Sequence, residues 1–574
     1  MKKFQLLLAA AVCTILTVKA QNKNIITSKT YPQGYFRNPL NIPMDASGTF
    51  GELRSTHFHA GDDYRTQQKI GLPLYAAAEG HISRVRVQIG GGGNAVYIDH
   101  PNGYTTVYLH MDRFNEELTK IVRAKQYELQ RFDVDIYLDS NQLKVAKGQY
   151  IGNAGNTGGS AGPHLHFEIR DTKTQRPLNP QLFGLKFTDH YNPTIGGIML
   201  YDLNQQHLFN EFTPRKVVPV KAVGAGKYVL QQNSPLPVSG KFGFGINAID
   251  RHRAGGFQNG VYSIELFIDG QPVSSVVFEE LDFNHTRGIH SYIDYPYWKR
   301  TKTKYQKSFK DPGNPIEIFR FLKNDGVIEL SENKIYEAKY VVKDVAGNCS
   351  ELDFKIQNNT QKPAEAYSPK GDLFHYNNTN SFSTENIKIE IPKGSLYTDL
   401  DFVYKEEPPL PNTFSALHKV HNTFIPLFSS YSLAIKPNGL PQHLQSKALI
   451  TSTENGAEGG KYEDGWVKVN TRNFGNFYIT VDTVPPTIIA RNLINGKNVS
   501  TQAKIDFTIR DNLSGIQSFD GYIDGKWVLM EYDSKNRHLW HRFEASLSKG
   551  EHTFKLIVKD WKDNETVYQA KFIR

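Results

Sequence analysis

Four histidines and an aspartate in the first third of the chain have the types and spacing for metal-assisted hydrolysis. They lie in His59-Ala60-Gly61-Asp62-Asp63, Tyr108-Leu109-His110 and Gly162-Pro163-His164-Leu165-His166-Phe167-Glu168. Two His and one Asp make a three-ligand zinc shell that leaves a fourth position for water. Two further His remain to move protons. Neutral imidazole and carboxylate suit zinc, whose closed shell accepts a tetrahedral set of them. The pattern contains no Cys and no His-Glu-x-x-His helix.

Strands are the natural scaffold for this set. Residues i and i+2 of a strand face the same way, so His164 and His166 can look into one cleft. His59 and Asp63 share a face if the chain is extended there, although Gly61 signals a bend. Val96-Tyr97-Ile98-Asp99, Val107-Tyr108 and Phe167-Glu168-Ile169-Arg170 read as strands between Gly- and Asn-rich turns. Phe114, Leu118, Ile121, Val122, Leu129 and Phe132 instead recur at helical spacing, with Glu116 and Glu117 in the first turn. This helical insertion, about 112–145, starts two residues after His110. Its apolar face needs a partner surface, and the expectation is that it packs beside the metal cleft and restricts access. Gly90-Gly91-Gly92-Gly93 reads as a loop, not a phosphate cradle, since no Gly-Lys-Ser/Thr follows it.

Five blocks resemble the lysostaphin/LytM-type zinc metallopeptidases, which cut peptide bonds in bacterial peptidoglycan. They are Phe50-Gly51-Glu52-Leu53-Arg54 with His59-x-Gly61-x-Asp63, Gly103 to His110, Lys147-Gly148-Gln149-x-Ile151-Gly152, and Gly155 to Glu168. The resemblance spans about 35–185. By position it implies that His59, Asp63 and His166 are the Zn2+ ligands and that His110 and His164 are the catalytic pair. His57-Phe58-His59 is itself a His-x-His, but the register relative to Gly61 selects His59 and Asp63. His57 and Asp62 are read as bystanders that contact substrate or face solvent. Zinc lowers the pKa of bound water from about 16 towards ~7. Histidine, with a reference pKa of about 6.5, can then act as acid or base near neutrality. The sequence does not divide these roles between His110 and His164.

Residues 1–20 read as a secretory signal peptide. Lys2 and Lys3 form the basic start, Phe4 to Leu16 is mostly apolar, and Val18-Lys19-Ala20 is a small-residue cleavage site. Ala10-Ala11-Val12 before Cys13 is a poor lipidation signal. No later run reaches the ~18 apolar residues of a membrane span. The expected location is the periplasm, cell envelope or exterior. Cys349 is the one remaining cysteine, so the chain is no disulfide scaffold. Removing Lys2, Lys3 and Lys19 takes the formal net charge from +9 to +6, compatible with an anionic wall polymer.

Further on, the chain repeats itself. Asn192-Pro193-Thr194-Ile195 parallels Pro485-Pro486-Thr487-Ile488, and Ile249-Asp250-Arg251 parallels Ile509-Arg510-Asp511. Val342-Lys343-Asp344-Val345-Ala346-Gly347-Asn348 parallels Val558-Lys559-Asp560-Trp561-Lys562-Asp563-Asn564. Such strand-rich units read as immunoglobulin-like β-sandwiches. The first copy carries an insertion around 285–335. Its Tyr292, Tyr295, Tyr297 and Trp298, followed by Lys and Arg, are read as a solvated loop with anchoring rings rather than a sugar-binding face.

The expected class is mainly β and multidomain: an antiparallel-sheet peptidase domain with one inserted helix, then β-sandwich domains. The boundaries are 21–188 for the peptidase domain, 189–358 for the first sandwich, 359–481 for a linker and strand-rich domain, and 482–574 for the second sandwich. The expected function is a secreted zinc metalloendopeptidase acting on peptidoglycan stem peptides or cross-links. The alternative is a latent peptidoglycan-binding or hydrolase-activating envelope protein. The partners are peptidoglycan peptides and, through the charged helix face, an envelope regulator. Nucleic acid and a transmembrane span are not expected. All five site residues precede Gly184, so a chain ending there is expected to retain activity on soluble peptides.

Overall fold

The computed structural model describes residues 29–359 and 370–574. The signal-peptide reading and part of the proposed linker lie outside the described residues. The described chain is built mainly from antiparallel sheets, with one long helix. Among the described residues, no helix is long and apolar enough to cross a membrane.

The N-terminal region is organised by a nine-stranded sheet. Its main strands are β1 (Ala46–Gly48), β2 (Asp62–Arg65), β3 (Gly80–Val87), β4 (Ala95–Asp99), β5 (Tyr104–Leu109), β6 (Val134–Tyr137) and β7 (His164–Asp171). They lie in the order β1-β2-β7-β5-β4-β3-β6. β7 is flanked by β2 and β5, which brings the three sequence segments together. Its register sets His166 opposite Asp63 on one side and Leu109 on the other. Ile82, Val85, Val96, Ile98, Tyr108, Leu165 and Phe167 form the centre of the core.

Helix α1 (Glu116–Leu129) starts at Asn115, whose side chain accepts from the Leu118 amide, and Glu116 and Glu117 occupy its first turn. Both features favour the helix N-terminus, the acids by complementing its dipole. It ends at Gln130 in the left-handed conformation. Leu118 and Val122 are buried in the core of this region. No residue of 112–145 lines the cleft that holds the histidines, so the expectation of a lid is corrected. The apolar stripe already has a partner in its own domain.

The second unit packs a five-stranded sheet, centred on Thr194–Asp202 and Lys241–Ile249, against an eight-stranded one centred on Ile335–Lys343 and Cys349–Asn358. Its 285–335 segment is not a solvated loop. It folds into short helices at Ile289–Tyr292 and Tyr295–Thr301, with Tyr292 only 1% exposed in the core. Phe50 and Phe58, which belong to the N-terminal region in sequence, are members of this same core. Residues 372–481 form a further strand-rich unit with its own core. The last unit packs a four-stranded sheet against a five-stranded one around Ile505, Phe507, Leu556 and Phe572.

Candidate metal centre

His59, Asp63 and His166 converge at the edge of β2 and β7. His59 Nε2 lies 3.0 Å from Asp63 Oδ1 and 2.9 Å from His166 Nδ1, and His166 Nδ1 lies 2.9 Å from the same Asp63 oxygen. The outer ring nitrogens fix what the inner ones present. His59 Nδ1 donates to the Thr49 carbonyl at 2.9 Å, and His166 Nε2 donates to Glu168 Oε1 at 2.9 Å. Each ring therefore turns a lone pair inward. With both rings neutral, two imidazole lone pairs and a carboxylate oxygen meet, an arrangement that repels itself unless a proton or a metal cation sits there. The donor set therefore fits a metal ion bound by N and O ligands.

The same crowding appears in proton affinities. Burial raises Asp63, but His59 and the bonds from His164 and His166 outweigh it and hold the carboxyl well below its usual range. Burial lowers His166, yet the hydrogen bonds to Asp63 and Glu168 win and push it up to about 9. Without a cation, a proton on His166 is the nearest substitute for one. The other Asp63 oxygen accepts from Arg54 Nη2 at 2.8 Å, and Glu168 is held in turn by Arg170.

Gly61 allows the His59 segment to lie across β7. A Cβ there would stand 2.3 Å from the Phe167 carbonyl oxygen, well inside contact distance. His59 itself precedes β2, so the bend signalled by Gly61 is real, and the two ligands do not sit on one continuous strand.

His110 and His164 face the same cleft, with ring centroids 4.8 Å apart. His110 Nδ1 donates to the Thr157 carbonyl at 2.8 Å, and His164 Nδ1 to the Gly162 carbonyl at 2.8 Å. Each thus keeps Nε2 for the cleft, and His164 Nε2 is 3.4 Å from Asp63 Oδ1. Burial, then His164 and His166, lower His110 to about 3, which keeps it neutral. His110 has a φ of 60° just after β5, an unusual conformation for a residue with a Cβ. It is braced by two glycine-rich loops: its amide donates to Gly92 O, and Gly159 N donates to Gly91 O. The Gly90–Gly93 stretch is thus a loop, as read, and its tight turns support His110.

The cleft has a volume of about 980 Å³. Its walls include His57, Glu52 and Arg54, and also Phe257, Gln258 and Phe283 from the second unit. Phe257 is 51% exposed and Phe283 44%. Asp62 is corrected: it is fully buried, and its Oδ1 accepts from the Phe50 amide at 3.0 Å, so it holds the His59 loop instead of facing solvent. The roles of Arg54 and Glu168 went unread although both lie in the matched blocks. The contribution of 257–283 carried no local signal.

Residues 57–127 and 128–180 match the model of peptidase family M23. The N-terminal region carries a peptidase family M23 domain. Over 156 residues, 27% of each chain, it is 32% identical to the DD-carboxypeptidase/endopeptidase Mpg of Neisseria meningitidis. It is 34% identical over 145 residues to the peptidoglycan DD-endopeptidase ShyC of Vibrio cholerae, covering 24% of this chain and 27% of that one. A zinc-containing peptidase from Vibrio cholerae of known structure is 26% identical, covering 28% of this chain and 40% of that one, with a TM-score of 0.17. The chain spans under a third of the length of the curated relatives it matches. Outside the M23 domain, residues 371–482 match a Zu5-like domain.

Proposed function

We propose that this protein is an exported zinc metalloendopeptidase that hydrolyses peptide bonds in peptidoglycan stem peptides or cross-links. The observation that carries the proposal is the inward convergence of His59, Asp63 and His166, with His110 and His164 turning their Nε2 atoms into the same cleft. The peptidoglycan substrate class is supported by the relatives of the M23 domain, which include DD-endopeptidases.

In this reading His59, Asp63 and His166 hold the ion, which when bound acidifies a water molecule and polarises the scissile carbonyl. Arg54 and Glu168 orient Asp63 and His166, the usual second role around a metal. His110, kept neutral by burial, takes a proton from the attacking water. His164, close to Asp63, in its doubly protonated form donates from Nε2 to the carbonyl oxygen as its charge grows, and the proton taken by His110 passes to the leaving amine. Phe257 and Phe283 give the cleft apolar rims, each with an arginine (Arg65 or Arg170) over its ring.

The test combines metal analysis with digestion of purified peptidoglycan and mass spectrometry of the fragments. His59→Ala, Asp63→Ala and His166→Ala are expected to lose zinc and activity. His110→Ala and His164→Ala are expected to keep most zinc while activity falls ~100-fold or more. Full zinc occupancy in the first three variants would overturn the ligand set. New reducing sugar ends, without new amino termini, would overturn the reaction class.

A further inference from the structure

A second group of metal-ligating side chains lies at the joint between the M23 domain and the second unit. Ligand atoms of Asp189, Asp250 and His252 lie within 4.8 Å of one another. Asp250 is only 3% exposed, and its Oδ1 is buried with no hydrogen-bond donor. Leaving a buried carboxylate oxygen unpaired is costly, and native structures rarely do so without a reason. Asn259, which faces Asp250 across a backbone bridge, is also buried and has an Oδ1 without a donor. Its amide nitrogen lies 2.7 Å from His252 Nδ1, a donation that leaves the ring proton on Nε2 and makes oxygens the open ligands.

The charges around Asp250 sharpen the point. Burial, then Asp189 and Asp344, push its carboxyl up to about 8, and Arg251 opposes them more weakly. Asp344 is already engaged: its Oδ1 accepts from the Gly347 and Asn348 amides, at 2.7 and 2.9 Å. The repeat carries a related cluster. In the last unit Asp482, Asp511 and Asp560 converge in the same way. There a buried Lys562 lies near enough to be attracted by Asp482 and Asp560, while its Nζ donates to the Ala448 and Gly460 carbonyls at 2.6 Å each. The aligned residue of the second unit is Ala346, which brings no charge.

We propose that Asp189 and Asp250, with the Asn259 side-chain oxygen and the charge of Asp344, form a site for a divalent cation of the calcium class. Carboxylate and amide oxygens are the ligands that hard cation prefers. Bound there, the ion ties down the 250–259 segment that carries Phe257 and Gln258 to the cleft. It also fixes the joint through His252, whose ring meets Phe187 edge-on at 4.8 Å, while Phe187 packs on Tyr64 beside Asp63.

The experiment is titration of the zinc-loaded full chain with Ca2+, by calorimetry and by thermal unfolding. Millimolar Ca2+ is expected to bind and to raise Tm by about 5 °C or more. Asp250→Asn, close in shape, should lower the stoichiometry by one. It should also unfold no earlier than the parent in the absence of Ca2+, because the neutral amide replaces a buried carboxyl crowded by Asp189 and Asp344. Asp189→Asn, at a half-buried position, should lose the same equivalent and guards against misfolding of the first variant. Absence of any Ca2+ response in the parent, or an unchanged stoichiometry in both variants, would overturn the site. Neither readout depends on peptidase activity, so failure here leaves the proposed reaction untouched.

Discussion

Phe50 and Phe58 of the M23 region are buried in the core of the second unit, whereas the last unit meets the same domain through side chains at its surface. In the first contact the Phe58 ring packs 5.7 Å from Phe278 and 5.9 Å from Tyr292, and its amide donates to Thr286 Oγ1. His290 donates to the Ser55 carbonyl, Gly260 to Thr49 Oγ1 and Lys304 to the Leu53 carbonyl. All of these hold the 49–58 loop that ends at His59. In the second contact Tyr127 of α1 meets Trp527 edge-on and bonds Glu544, and Lys535 reaches the carbonyls of Asn156, Gly158 and Ser160. The two units share a repeat in sequence, yet one is built into the candidate metal centre and the other rests against it. What separates them is buried apolar area, which stabilises by about 1.5–3 kcal/mol for each fully buried Phe. Exposed polar contacts give roughly 0–1 kcal/mol.

The largest expected effect comes from ending the chain near Gly184. The location of the five site residues suggests that this piece suffices, whereas the burial of Phe50 and Phe58 in the core of the second unit argues for the opposite outcome. With Phe50 and Phe58 exposed and Tyr31 cut from Glu279, the His59 loop loses its support. Zinc content and soluble-peptide cleavage are expected to fall ~100-fold or more, the scale seen when catalytic geometry is lost. A folded short chain with activity within tenfold of the parent would mean that the second unit is not a buttress.

Phe58→Ala probes the same contact with one side chain. Denaturant unfolding should show a loss of about 3–5 kcal/mol, the usual cost of a large buried truncation. Zinc should also dissociate faster, because the next residue is His59. Loss of stability with unchanged zinc retention would separate packing from ligand placement.

The smallest effect is expected at the last unit. Lys535 is an exposed side chain, and Lys535→Ala should change kcat/KM on soluble peptides by less than about threefold, in line with surface polar contacts. A drop of tenfold or more, with zinc retained, would mean that Lys535 sets the 156–160 loop and through Thr157 the orientation of His110.

Much of the chemistry was legible from residue order alone. A His-x-His on a strand points two rings one way because strand geometry alternates, and β7 does this with His164 and His166. The predominance of strands, the α1 insertion and the matched M23 blocks follow from equally local patterns. What stayed hidden depends on contacts between distant segments. The partner surface of α1 could not be chosen from its apolar stripe, because amphipathicity reports that a face is buried and not against what. The 285–335 aromatics looked like a surface loop because their partners lie in other strands and in the loop before His59.

The sequence by itself determined which atoms could bind a metal and move protons, since those are properties of residue type and short spacing. Tertiary structure decided the inward lone pairs of His59 and His166, because Thr49 and Glu168 fix the ring protons only once the sheet has formed. It also decided that the second unit completes the cleft and supports the His59 loop. Apolar burial is non-directional, so no local pattern around Phe50 or Phe58 names the core they join.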